Sequence, residues 1–273
     1  GNYNTVVGDE AGTAITTGQR NTGVGYFSLA ANTTGVRNSG LGYGALASNT
    51  TGNYNVAVGD QSLITSTTAT YNTAVGYRAG NSVTTGIQNT LIGSLAGDSL
   101  TDSDKNVAVG YSALGVEVLG QFNVAIGRSA LQAQSNGSAV DVYNTAVGYN
   151  AGASVTTGIK NTLVGGLTGD GLTTGNNNTA MGYLSLSAST TASENSAFGA
   201  GSLNSTTTGT ANVAVGQNAA VTNTTGSNNT AIGQDALFYN TTASNNTAVG
   251  QNALTTNTTG TENTALGTES GYY

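Results

Sequence analysis

Asn246-Thr-Ala-Val-Gly250 is the clearest of sixteen copies of one pentapeptide, and its Asn recurs at 4, 21, 38, 55, 72, 89, 106, 123, 144, 161, 178, 195, 212, 229, 246 and 263. Every interval is 17 residues except that from Asn123 to Asn144, which is 21. A fixed period over a whole chain is the signature of a stacked-repeat architecture with one structural unit per period. Counting the Asn as position 1, the unit reads Asn-Thr-Ala-Val-Gly-x-x-Ala-Leu/Gly-x-x-x-Thr-Thr-Gly-x-x. Position 4 is apolar in all sixteen copies, from Val7 to Leu266, and position 5 is always Gly, from Gly8 to Gly267.

The unit excludes a helix. Thr and Val cluster with Gly at fixed places, and no apolar stripe of period 3.6 runs across the repeats. Short β-branched runs bounded by Gly, Asn and Thr read as strands and turns. The expectation is an all-β, parallel β-solenoid of about sixteen 17-residue coils, each with two short strands and two tight corners. At one inter-strand spacing per coil, sixteen coils would rise roughly 75–80 Å. Residues 1–273 form a single repeat array, with a four-residue insertion within Gln134 to Val142 that should protrude as a loop.

Asn and Gly tolerate left-handed backbone, so they are expected at the corners. Identical Asn side chains can also bond coil to coil in a ladder. Thr-Thr fills positions 13 and 14 in twelve coils, including Thr16-Thr17 and Thr258-Thr259, and predicts a second ladder. Along the strand, the reading turns Val of position 4 inward and Ala of position 3 outward. An outer face of Ala and Gly is too small and apolar for solvent, which implies close approach of other copies, most simply as a homotrimer.

Composition narrows the function. Val, Leu, Ile and Phe make up about a fifth of the chain, yet only 7% is charged and the apolar residues keep register, so the chain folds. The net charge of −7 is spread thinly with no basic stripe, against nucleic acid as a partner. No apolar run reaches the length of a membrane span. With no His and no Cys, Ser/His/Asp and Cys/His catalysis and thiolate metal sites are excluded. The closest carboxylate pairs, Asp9-Glu10 and Asp102-Ser-Asp104, read as solvated corners, and no calcium loop follows the second. No Gly-rich stretch ends in Gly-Lys-Ser/Thr.

Arg20, Arg37, Lys105, Lys160, Glu194 and Glu262 fall at position 17, an exposed edge. Tyr recurs at position 6 (Tyr26, Tyr43, Tyr77, Tyr111, Tyr149, Tyr183) and at position 17 (Tyr3, Tyr54, Tyr71, Tyr143). Such rows are ladders shielding neighbouring coils, or platforms for sugar rings. The Thr-Thr rank raises ice binding, although only one Thr of each adjacent pair would face out. Gly1-Asn2-Tyr3 matches positions 15 to 17 of an earlier unit and Tyr273 falls at position 11, so a segment of a longer fibre, with end-to-end contacts to neighbouring domains or copies, is expected.

The unit Asn-Thr-Ala-Val-Gly-x-x-Ala-Leu-x-x-Asn-Thr-Thr-Gly resembles the repeats of phage tail-fibre proteins, and more loosely the Asn-Ser-x-Ala-Ile-Gly-x-x-Ala repeats of trimeric autotransporter adhesin heads, the YadA-like β-roll. The resemblance covers essentially the whole chain and implies a surface-exposed homotrimer acting as spacer or attachment element. The expected protein is therefore a non-enzymatic, extracellular fibre segment of a tail fibre or surface adhesin. It has no catalytic, cofactor-binding or metal-ligating residues and no cofactor. It is not inserted in a membrane, and a surface glycan is its possible ligand. The alternative is a repetitive solenoid that binds ice or polysaccharide.

Overall fold

In the computed structural model, which describes Gly1–Tyr272, sixteen three-residue strands run from β1 (Thr5–Val7) to β16 (Thr264–Leu266). Each covers positions 2 to 4 of one repeat. Among the described residues there is no helix. The chain forms two compact units, Gly1–Val142 and Tyr143–Tyr273. In each, successive strands pair in parallel with like positions opposed, as in Thr73↔Thr90 and Thr162↔Thr179. This is a parallel β-solenoid that advances one coil per repeat.

Each coil has one strand, not the two expected. Positions 7 and 9 take positive φ in every coil, and so does the residue before each recurring Asn, as at Gln61 (56°), Leu63 (49°) and Tyr71 (61°). Two left-handed residues separated by one cannot lie in a strand, so the remainder of the coil is a chain of turns. Those turns still bond to their neighbours: Arg78 N–H donates to Asp60 C=O at 2.9 Å, Leu63 to Ala79 at 3.0 Å and Thr67 to Thr84 at 3.0 Å. Asn of position 1 is absent from the left-handed set, so its place at the corner has another cause.

That cause is the ladder. Asn72 Oδ1 accepts from the backbone N–H of Asn89 at 2.9 Å and from its Nδ2 at 3.1 Å. Asn72 Nδ2 donates to Asn55 Oδ1 at 3.3 Å and to Gly86 C=O at 2.8 Å. All four side-chain capacities are filled in a site with no solvent contact. The Thr ladder forms too: position-13 hydroxyls donate to the next coil's carbonyl, as Thr84 to Thr101 at 3.3 Å and Thr207 to Thr224 at 3.2 Å.

The strand faces are the reverse of the expected ones. Position 3 points inward, and Ala57, Ala74, Leu91, Ala146, Leu163 and Ala214 are fully buried. Position 4 points out, with Leu41, Ile92 and Ile232 about 40% exposed. The coil is too thin to hold Val opposite Leu, because position 3 faces position 9 across the interior. At Gly23, a Cβ would lie 3.3 Å from Leu29 Cδ1, and at Gly169 one would lie 2.8 Å from Leu163 Cδ2. Volume is conserved coil by coil. Where position 9 is Gly (Gly12, Gly80, Gly97, Gly152, Gly169), position 12 is Ile15, Val83, Leu100, Val155 or Leu172; where position 9 is Leu, position 12 is polar.

Position 5 is Gly for two reasons. Its φ lies between 117° and 142°, and at Gly59 a Cβ would sit 2.4 Å from Gly76 C=O of the next coil. The close backbone expected there belongs to the same chain. Of the inserted stretch, Gly137 to Asp141 are exposed and Asn136 and Val142 buried.

Candidate functional site

Two surfaces present ordered side chains that could meet a partner. The first is the strand face, where positions 2 and 4 stand side by side on each three-residue strand. In the second unit it reads Thr145 and Val147, Thr162 and Val164, Thr179 and Met181, then Ser196 and Phe198. Their register makes one rank of mostly hydroxyls and one rank of apolar groups. Val213, Val56, Val107 and Val124 interrupt the hydroxyl rank and widen the apolar one.

Positions 17 and 6 flank this face. In the first unit the position-17 row is an ordered ladder: Arg20 lies over the Tyr3 ring at 6.0 Å, Arg37 over Tyr54 at 5.1 Å, and Tyr54 stacks on Tyr71 at 4.9 Å. Lys105 lies over Phe122 at 4.9 Å. The charges of this row are thus exposed, as read from sequence, but several are engaged with aromatic rings. In the position-6 row, Tyr26 stacks on Tyr43 at 5.5 Å and Arg128 lies over Tyr111 at 5.8 Å. Ring faces covered in this way are not open to a sugar.

The carboxylates singled out by sequence make no catalytic constellation. Asp9 and Glu10 are exposed and lie beside Tyr26, whose phenol is pushed up chiefly by the Glu10 charge, then by burial, Tyr43 and Asp9. Asp102 accepts from the Thr85 hydroxyl at 2.5 Å, and Asp104 accepts from the Ile87 N–H at 2.7 Å. Asn53 and Asn176 serve Val36 and Ile159 in the same way, so Asp104 is one rung of a position-16 ladder. Asp98, opposite Arg78, is raised by burial, with the Arg78 charge and a backbone hydrogen bond opposing. Among the described residues no three His, Cys, Asp or Glu side chains gather as a metal site, and no helix is long and apolar enough to cross a membrane.

Sequence reading missed Glu117, the one charged residue at position 12 and fully buried. Its Oε1 accepts from the N–H groups of Val118, Leu119, Gly120 and Asn136 at 2.8, 3.1, 2.8 and 3.1 Å. Its Oε2 accepts from Gln134 Nε2 and Asn136 Nδ2, both at 2.9 Å. Burial pushes the carboxyl up, but the bonds from Gln134, Gly120 and Asn136 together outweigh it and hold the group below the ordinary glutamate range. Glu117 is the clasp of the inserted loop. Its signal was a charge at an interior position directly before a break in the Thr-Thr pattern, at Val118-Leu119.

The second surface is a groove in the second unit. Two hollows, about 340 and 380 Å³, share Asn218. One lies beside Tyr183, Ala200 and Asn204; the other beside Asp235, Phe238 and Tyr239. No family model matches the chain, and no curated protein is similar to it.

Proposed function

We propose that the chain is a non-enzymatic structural and attachment element, a fibre segment working outside the cell, whose copies associate through the strand face as a homotrimer. The observation that carries this reading is the exposed aliphatic rank of position 4, which includes Val24, Leu41, Ile92, Ile126, Val215 and Ile232. Regular apolar ranks of this kind mark association surfaces. The occupant is a second and third copy because the rank repeats with the coil, and only a partner of the same period meets every rung in register. The small-residue face that first suggested association is interior, so the support now comes from position 4.

Light scattering tests it. The native chain is expected at the mass of three chains, and an Ile92→Asp, Ile232→Asp double variant at the mass of one, with unchanged circular dichroism. A native monomer overturns the reading. A double variant that stays trimeric moves the interface elsewhere.

One observation favours ice binding as a second reading: Thr of position 2 and an aliphatic group of position 4 do point outward together on the strand face. Phe198 and Met181 roughen that face, and exposed tyrosines stand on either side of it. At the Thr-Thr corner the position-13 hydroxyls are spent on the ladder, leaving one outward Thr per coil. Thermal hysteresis from a native monomer would place this reading first.

A further inference from the structure

We infer that the groove of the second unit binds an unbranched, uncharged chain of pyranose sugars laid along the coil axis. The proposal deepens the attachment reading and rests on it, whereas the spacer role stands separately.

Tyr183 differs from the other tyrosines of its row. Its neighbours at position 6 are Gly166 and Ala200, so neither coil-to-coil neighbour covers its ring, unlike the Tyr26–Tyr43 pair at 5.5 Å. It is 59% exposed, the largest value in the row. A Cβ on Gly166 would lie in ordinary contact with one ring carbon, 3.6 Å from Cδ2. On the other side, Ala200 and Gly201 remove the side chains that would fill the first hollow. An open aromatic face above a scooped floor suits the apolar face of a pyranose ring.

The polar groups are of the matching kind. Asn204, Gln217 and Asn218 line the first hollow and Asn218 and Asn252 the second, with Asn204 Nδ2 already donating to Leu184 C=O at 2.9 Å and the buried Thr255 hydroxyl to Asp235 C=O at 2.8 Å. Amides and hydroxyls both donate and accept, as sugar hydroxyls do. The single charge is Asp235, which accepts from Asn218 Nδ2 at 3.1 Å and from Gln234 Nε2 at 3.1 Å. No Lys or Arg lines either hollow, so a carboxylated, sulfated or phosphorylated ligand would find a carboxylate and no cation. Neutral glycans are selected. The far end is walled by Phe238 and Tyr239, in edge contact at 4.8 Å, and by Tyr272. From the Tyr183 coil to the Tyr272 coil is five coil steps, about 24 Å. That length calls for a chain of several rings rather than one sugar.

Fluorescence anisotropy with labelled cellohexaose, mannohexaose and chitohexaose tests the proposal on the full chain, with hexagalacturonate as the anionic control. At least one neutral hexamer is expected to bind and hexagalacturonate is not. Tyr183→Ala is expected to weaken binding tenfold or more. Ala200→Tyr fills the hollow and extends the tyrosine row in a way the fold already accepts at Tyr43, so it is expected to abolish binding with unchanged circular dichroism. Tyr26→Ala, in a stacked row of the first unit, is expected to leave binding unchanged. The proposal is overturned if no neutral hexamer binds, if hexagalacturonate binds equally, or if Ala200→Tyr binds like the parent. Mass measured on the same samples separates the two readings: trimers without glycan binding sink the groove alone, and glycan-binding monomers sink the trimer alone.

Discussion

Glu117→Ala is expected to open the inserted loop and destabilise the first unit by on the order of 4 kcal/mol, because it strands several buried donors at once. Gly120 N–H, Asn136 N–H, Gln134 Nε2 and Asn136 Nδ2 all donate to the carboxylate. Some donors will recover water as residues 135–141 move out, which sets the estimate below the sum of single losses. Proteolysis within that loop, slow in the native chain and fast in the variant, reads the effect directly. The pH dependence follows from the sign of the shift. A carboxyl whose folded value is lowered contributes stability that is fully present above the ordinary glutamate range and is lost as pH falls through the folded value. The native chain should therefore lose loop protection on acidification from about pH 5 downward. Glu117→Gln should start lower and stay flat, since its amide presents one donor to a ring of donors. An acid-insensitive native loop would show that the carboxylate is not its clasp.

Asn72→Ala is the second large effect. The substitution removes two donated and two accepted bonds in the middle of a unit and leaves Asn89 N–H and Gly86 C=O buried without partners. At about 1 kcal/mol per bond, the local loss is roughly 4 kcal/mol. A stacked array responds locally because each coil is stabilised by its two neighbours. Hydrogen exchange should therefore accelerate at Asn89 and the adjoining coils, while coils near Asn4 change little. Uniform acceleration across the unit would mean that it opens as a whole.

The period, the β class, the Asn and Thr ladders and the glycine at position 5 were legible in the sequence because each is a repeated local requirement. The strand facing was not. Alternation gives two faces without saying which is inside, and Val against Ala invites the larger residue inward. The deciding clue lay in other positions: Leu91 and Leu163 occur where position 9 is Gly97 and Gly169, and Ile15, Val83, Leu100, Val155 and Leu172 replace a polar residue only when position 9 is Gly. Residues that trade volume share a core. The missing second strand was hidden for a different reason. Left-handed backbone at Leu63, Arg78 and Tyr71 runs against the preference of those side chains, at about 1 kcal/mol each. Stacking alone imposes it.

The site was half legible. The tyrosine rows were seen, but only the structure separates rings that cover one another from Tyr183, which has Gly166 and Ala200 as row neighbours. The groove depends on positions 6, 7, 10 and 11, which vary from coil to coil and so vanish from any consensus of the unit.

The direction of the inter-coil bonds has a mechanical consequence. Leu63 to Ala79 and Thr67 to Thr84, like the strand pairs, join one coil to the next along the stacking direction. When the chain ends are pulled along that direction, the outermost coil, bonded on one side only, peels first, so coils detach in sequence. Each detached coil pays out 17 residues, about 58 Å of extended chain in place of a rise of about 4.8 Å. Under tension the array becomes an extensible tether that lengthens in equal steps, and a coil that reseats on its neighbour's ladder restores the step it gave up.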